Sequence, residues 1–310
     1  METQTLFETT DRLYRTTEKP FLVVECAQCK LIRLSPVPKP EELSTYYPSD
    51  YWHADEGGKI TALEEFYRRT VLQDHIGFLQ RAIEDAKPAA GHAPLVMDVG
   101  CGGGLILRLL HEKGHAVMGM DFSIDAASIA WKQNGVPAMC ASLPQAPLPD
   151  GSITLLSMFH VLEHLYEPHA YLEAAHRLLA PEGRLVIQVP NAASWQFLLF
   201  GEDWNGIDVP RHIHNFKLRD LEVLLDRCGF VPVRTKHFSL RDNPAGFAIS
   251  VAPGLDPMAR RVRKLRESPA VRLLKNLAHL GLIVVAIPFS FFEAICGAGS
   301  TIMIEARKKT

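Results

Sequence analysis

Short apolar runs alternate with stretches of helical periodicity through most of this chain. Residues 94–99 form the first such run, and Leu105-Ile106-Leu107-Arg108-Leu109-Leu110-His111 resumes with helical spacing to about Lys113. A second run at 116–121 is followed by Ser123, placed to cap a helix that continues to about Gln133. Further strands are predicted at 136–140, 153–159, 184–189, 230–238 and 301–306, with helices at 168–179 and 217–228. Gly229 sits where a glycine closes a helix. This alternation predicts an α/β fold: a mainly parallel sheet with helices on both faces.

The flanks read differently. Leu63, Phe66, Val71, Leu72, Ile76, Leu79 and Ile83 recur at helical spacing, predicting one long amphipathic helix over 61–87 that Pro88 stops. Before it, residues 21–32 suggest a β-hairpin turning at Cys26 and Cys29. About sixty residues separate the sixth and seventh strands, far beyond an ordinary loop. That insertion opens with Arg260, Arg261, Arg263, Lys264 and Arg266, then Arg272 and Lys275, before an apolar stretch from Asn276 to Phe292 broken by Pro288. It is slightly short for a membrane span, which takes about twenty apolar residues. A basic flank before an apolar segment reads as an interfacial anchor for anionic lipid, or equally as a buried helical subdomain or subunit interface. The expected organisation is an N-terminal segment at 1–60, a main domain at 61–239, the insertion at 240–299 and a last strand within 300–310.

Composition narrows the function classes. The 310 residues can bury a large core, and a formal charge of −2 argues against a dedicated nucleic-acid binder. Six scattered cysteines fit a reduced, cytoplasmic chain better than a disulfide scaffold. The start Met1-Glu2-Thr3-Gln4-Thr5 is polar with an early acid, so no signal peptide is expected.

The chemistry centres on the end of the first strand. A strand, a glycine-rich turn and a helix N-terminus form the place where an open α/β sheet holds a nucleotide-like ligand. The dinucleotide fingerprint G-x-G-x-x-G would need glycine where this chain has Leu105. Asp98-Val99-Gly100-Cys101-Gly102-Gly103-Gly104 instead resembles the first motif of the class I S-adenosylmethionine (SAM)-dependent methyltransferases. The resemblance implies a Rossmann-like methyltransferase sheet and a cofactor cradle of Asp98, Gly100, Cys101 and Gly102 at the methionine end. Asp121, about twenty residues on, would accept hydrogen bonds from ribose hydroxyls, with Phe122 flanking adenine. Ser142 and Leu143 fall where the family places adenine, and Pro147-Leu148-Pro149-Asp150-Gly151-Ser152 matches the turn before strand four.

His160-Val161-Leu162-Glu163-His164-Leu165 follows strand four, where acceptor and cofactor meet in this family. His160 is expected to line the cofactor pocket. His160, His164 and the later His212 are candidate bases, since imidazole titrates near neutral pH. Ubiquinone-pathway O-methyltransferases and small-RNA methyltransferases carry a related E-x-x-E-H segment that binds a divalent ion, and His160 replaces its first glutamate here. Glu163, His164 and His212 are therefore weak metal candidates, ranked below a metal-free site. Residues 1–60 resemble the N-terminal ribbon of a bacterial methyltransferase group linked to sugar and cell-surface modification, through Pro36, Pro38, Tyr46-Tyr47-Pro48 and Tyr51-Trp52. That ribbon uses two C-x-x-C pairs; one occurs in this sequence, so Cys26 and Cys29 read as a degenerate remnant and a weak zinc site.

The loop 191–216 mixes Trp204, Asp208, Arg211, His212 and His214, and suits an acceptor-binding lid, with Trp204, Arg211 and His214 as substrate contacts. The leading expectation is a SAM-dependent methyltransferase acting, by O-methylation, on a small-molecule, sugar or lipid-linked acceptor. It would be cytoplasmic, with peripheral membrane contact through 256–297 at the inner face. Alternatives are a non-catalytic, membrane-associated SAM-binding module and, ranked lower, an RNA methyltransferase. The sequence leaves the acceptor atom and oligomeric state open.

Overall fold

The computed structural model describes residues 2–47, 62–86 and 94–309. Pro48, Tyr51 and Trp52 of the N-terminal aromatic segment, and Lys87 and Pro88 at the expected helix end, lie outside them. The chain divides into two compact units, one of Lys59–Val189, Arg219–Lys236 and Ile302–Thr310, the other of Met1–Gly58, Pro190–Leu218 and His237–Thr301. The N-terminal segment and the insertion thus share a unit with the 190–218 stretch.

The first unit carries a seven-stranded sheet: β1 (Leu95–Val99), β2 (Ala116–Asp121), β3 (Ala138–Cys140), β4 (Ile153–Phe159), β5 (Leu179–Pro190), β6 (Phe230–Lys236) and β7 (Thr301–Lys308), in the order β6-β7-β5-β4-β1-β2-β3. The pairings β1–β2, β1–β4, β2–β3 and β4–β5 are parallel and β6–β7 is antiparallel. The order runs outward in both directions from β1 and β4, and the carboxyl ends of these two neighbours mark the switch point where such sheets take ligands. Both central strands are almost wholly buried, β4 at every position, as expected when helices cover both faces. Val96, Leu155 and Val186 from the sheet pack with Leu107 and Leu110 of the helix Leu105–His111 and with Ile76 and Leu79.

Ile76 and Leu79 belong to a helix that departs from expectation. The 61–87 helix is two, Ala62–Val71 and Gln73–Asp85. Near the break, Thr70 Oγ1 donates to Phe66 O at 2.8 Å and Gln73 Nε2 to Arg69 O at 3.2 Å, side chains competing for carbonyls that the helix ladder would use. Just beyond it, Asp74 bridges the fully buried His75 (2.9 Å to Nδ1) and Lys236 on β6 (2.8 Å). Three neighbouring strands are tied similarly: Glu305 on β7 meets Arg184 on β5 at 3.2 Å and Arg234 on β6 at 2.8 Å.

The second unit is built on a small antiparallel sheet ordered Thr3–Thr9, Phe21–Cys26, Ile32–Ser35 and His214–Asn215. The two middle strands form the expected hairpin, with Cys26 and Cys29 at its turn. Its core gathers Phe21, Val23, Ile32, Leu34 and Tyr46 with Trp204, Ile207 and Val209. The insertion supplies three helices, Asn243–Val251, Pro257–Val262 and Pro269–Ile295. Arg260 and Lys275, expected among the lipid-facing cations, both pair with Glu267 at 2.7 and 2.6 Å.

Arg211 is the chief correction in this unit. Expected to contact substrate, it is 1% exposed. Its guanidinium makes a two-pronged contact with Asp11 (2.8 and 3.1 Å) and another with Asp208 (2.8 and 3.0 Å), over the Tyr14 ring at 4.4 Å. Burial works against its charge, but Asp208 and Asp11 overrule that and hold it protonated well beyond the ordinary arginine range. The arginine cross-links the N-terminal segment to the 208–212 turn. Trp204, a second expected substrate contact, is a core residue stacked edge-on to Phe197 and packed over Gly206.

Replacing Arg211 by leucine leaves the buried Asp11 carboxylate and the half-buried Asp208 without their cation. It is expected to lower stability by about 3–5 kcal/mol in urea unfolding. A change below about 1 kcal/mol would mean the triad is not a structural tie. Asp74 makes a pH prediction. Burial would raise its carboxyl, but His75 and Lys236 hold it at about 2 against an ordinary 3.8. A depressed acid stabilises the fold above its unfolded pKa and loses that contribution as pH falls through the folded one. The stability difference between wild type and Asp74→Asn should therefore stay level above pH about 4 and shrink toward zero near pH 2; a difference that grows on acidification would contradict the ion pair.

Candidate active site

The carboxyl ends of β1, β2 and β4 bring together most of the residues singled out from sequence. After Val99 the chain turns through Gly100 (φ 72°) and Gly102 (φ 51°), a left-handed backbone that side chains disfavour. At Gly100 there is also no room: a Cβ would lie 2.4 Å from Cγ2 of Val161, in the segment after β4. The turn is stitched to β2 by Gly100 N–H and Cys101 N–H, both donating to Met120 O (2.7 and 3.1 Å).

Asp121, the last residue of β2, is 2% exposed. One carboxylate oxygen accepts Gly102 N–H and the other Ser123 N–H, each at 2.9 Å. Burial raises its pKa, partly offset by those amides. Since a carboxylate oxygen has two lone pairs, each can still accept a ligand hydroxyl. Asp98 is buried one strand away, accepting the Ser157 hydroxyl at 2.6 Å. Burial pushes the Cys101 thiol far up, and Asp98 and Asp121 push it further, so it stays protonated as a turn residue and not a nucleophile.

At the β2 and β3 edge, Phe122 presents an exposed ring, Leu143 is fully buried and the Ser142 hydroxyl bonds to Gln145. Beside β4, His160 adopts φ 55°, a conformation that costs a non-glycine residue about 1–3 kcal/mol. Its backbone N–H donates to Gln188 O on β5 at 2.9 Å. Its Nδ1 lies 3.2 Å from Oε1 of the buried Glu163, and its Nε2 lies 2.9 Å from Nε2 of Gln188. With the Gln188 amide donating to Nε2, the imidazole proton is assigned to Nδ1, facing the carboxylate. His164 closes the short turn Leu162–His164 that carries Glu163.

Sequence reasoning passed over Ser157 and Gln188. Both are buried polar residues within largely apolar runs, Leu155 to Phe159 and Leu185 to Val189, where an unpaired polar group is costly. That mismatch was the available signal.

His212 and His214 belong to the second unit. His212 Nδ1 donates to Gly206 O at 2.8 Å, and His214 stacks on Phe216 at 5.9 Å. Cys26 is buried and Cys29 exposed at the hairpin turn. Among the described residues, no group of three metal-ligating side chains includes either cysteine.

A left-handed glycine turn on one strand end and a fixed carboxylate on the next are the arrangement by which open α/β sheets hold nucleosides. Comparison with known proteins gives the class. A family model described as a methyltransferase domain matches residues 67–235, more than half of the chain. The chain belongs to that family, as a class I SAM-dependent methyltransferase. It is 26% identical over 178 residues to a ubiquinone biosynthesis O-methyltransferase of Pectobacterium carotovorum, covering 52% of this chain and 72% of the relative. A probable S-adenosylmethionine-dependent methyltransferase of Mycolicibacterium smegmatis is 28% identical over 141 residues, covering 44% and 51%. Two solved structures share the fold: a putative sarcosine dimethylglycine methyltransferase of Galdieria sulphuraria (TM-score 0.53, 15% identity, covering 80% of this chain and 88% of that one) and a geranyl diphosphate C-methyltransferase of Streptomyces coelicolor (0.51, 15%, 88% and 99%).

The residues present fit SAM. The turn at Gly100 closes against Val161 once any Cβ is added, and Asp121 is fixed by two amides before a ligand arrives. Gly100→Ala is expected to weaken S-adenosylhomocysteine binding at least about tenfold in calorimetry, with the fold retained. Unchanged affinity would show that the turn is not the cradle.

Proposed function

We propose that this enzyme methylates a hydroxyl oxygen on a small-molecule or lipid-linked acceptor, a sugar hydroxyl included. The observation that carries the reading is His160, strained at the end of β4, with its Nδ1 facing the buried carboxylate of Glu163. A hydroxyl acceptor, unlike a carboxylate that is already ionised, needs a base at neutral pH. The relatives named as ubiquinone biosynthesis O-methyltransferases favour oxygen as the acceptor atom.

When bound, SAM supplies a sulfonium-activated methyl group, so the protein has mainly to align the acceptor and remove its proton. The backbone around Gly100, Cys101 and Gly102 would cradle the methionine end, with Asp98 toward the amino group. Asp121 would hold the ribose, and Phe122, Ser142 and Leu143 the adenine. An acceptor hydroxyl would displace the Gln188 amide from His160 Nε2 and give its proton to that nitrogen as its oxygen is methylated. Glu163, hydrogen-bonded to Nδ1, would stabilise the imidazolium so formed. His164, on the same turn, serves as a positioning residue in this reading. His212 and His214 remain candidates for acceptor contact.

The wider reading places the enzyme in the cytoplasm with membrane contact through 256–297, since a lipid-linked acceptor presents its reactive group at a bilayer surface. A degenerate ribbon origin for residues 1–60 and a binding role for 240–299 belong to it as well. His160→Ala is expected to lower transfer of labelled methyl to a hydroxyl acceptor by about a hundredfold or more, with affinity for SAM within a few-fold. Wild-type turnover in that variant would remove His160 as the base.

A further inference from the structure

The helix Pro269–Ile295 is turned inside out. Its buried residues are His279, Ala286, Ser290 and Glu293, and its exposed ones include Leu274, Leu277, Leu280, Val284, Val285 and Phe292. A surface helix in water does the opposite, burying its apolar stripe. At 100° per residue the four buried positions fall within about 60° of arc, and the exposed leucines, valines and phenylalanines occupy about 140° on the other side. The inward stripe is anchored near its C-terminal end by Glu293. Glu293 accepts the Gln196 backbone N–H at 2.9 Å and its side-chain amide at 3.0 Å. Small and polar residues against protein, with apolar ones outward, is how helices pack when lipid is the surrounding solvent.

The segment is long and apolar: within its 27 residues an 18-residue window has a mean hydropathy of 1.9, and 22% of that window is buried. No Asp, Glu, Lys or Arg occurs from Asn276 to Phe292. A core helix of a water-soluble domain would be mostly covered. The protein-facing stripe runs from 279 to 293, about 20 Å at 1.5 Å per residue, so one side is occupied by protein over half its length. One protein-held side and cations gathered at one end fit a helix lying in an interface. Exposed cations collect just before and within its first turn, at Lys264, Arg266 and Arg272.

We infer that the outward face of Pro269–Ile295 docks in the plane of an anionic lipid bilayer, its leucines, valines and phenylalanines reaching acyl depth and Lys264, Arg266 and Arg272 meeting the headgroups. The occupant is lipid and not a second copy of this chain. A paired helix would cover a seam, whereas the exposed arc is broad, and a collar of three cations at one end is complementary to phosphate headgroups. This rests on the membrane contact proposed above and fails separately from the methyl transfer, since transfer to a soluble hydroxyl does not require it.

The test uses the full-length protein and two vesicles, phosphatidylcholine alone and an equimolar mixture with phosphatidylglycerol, read by co-sedimentation at low and high salt. Wild type should sediment with the mixed vesicles at least about tenfold more tightly than with the neutral ones, and less so at high salt. Leu274→Glu combined with Val285→Glu should lose about tenfold or more in binding to the mixed vesicles while retaining S-adenosylhomocysteine affinity, which shows the fold intact. The inference is overturned if wild type binds neither vesicle, if the double variant binds as wild type does, or if light scattering shows a dimer that the double variant dissolves while vesicle binding is absent.

Discussion

The Asp121 carboxylate is the constraint on which the site depends. It is buried at the end of β2, with one oxygen on the amide of Gly102 and the other on that of Ser123. One acid thereby fixes the glycine turn after β1 and the entry to the helix after β2, whose N-cap is Ser123. Burial disfavours its charge and the two amides restore part of it, so the group stands ready as an acceptor pair. The other requirements follow from closeness. Gly100 has no space for a side chain because Val161 arrives from β4, and the same segment presents His160 and Glu163 beside the turn.

Much of this was legible in the sequence. Strand periodicity located all seven strands of the sheet, and the spacing from Gly100 to Asp121 put the glycine turn and the acid on neighbouring strand ends because a βαβ unit fixes how far apart two strand ends fall in the chain. Leu105 excluded the dinucleotide fingerprint on one position. What was less legible involved partners distant in sequence. Arg211 looked like a loop arginine suited to substrate, yet its ligand Asp11 lies two hundred residues earlier. Nothing in local pattern announces such a pair. The break at Leu72 escaped as well, since the apolar stripe continues through it and only the competing side chains of Thr70 and Gln73 mark it.

The insertion shows a different limit. Composition revealed a basic run followed by an apolar segment, but not which way the helix faced. The structure resolves the face: His279, Ser290 and Glu293 point inward and the hydrocarbon points out. It also pairs Arg260 and Lys275 with Glu267. Burial of polar groups therefore carries information here that hydropathy alone does not.

The central claim is transfer of a methyl group from SAM to oxygen. It is tested most directly by supplying the purified chain with SAM carrying a perdeuterated methyl group, together with extracted bacterial lipids and small molecules, and following the label by mass spectrometry. The account predicts a labelled methyl ether formed in step with S-adenosylhomocysteine. Label on carbon or nitrogen, or cofactor bound without being consumed, would contradict it.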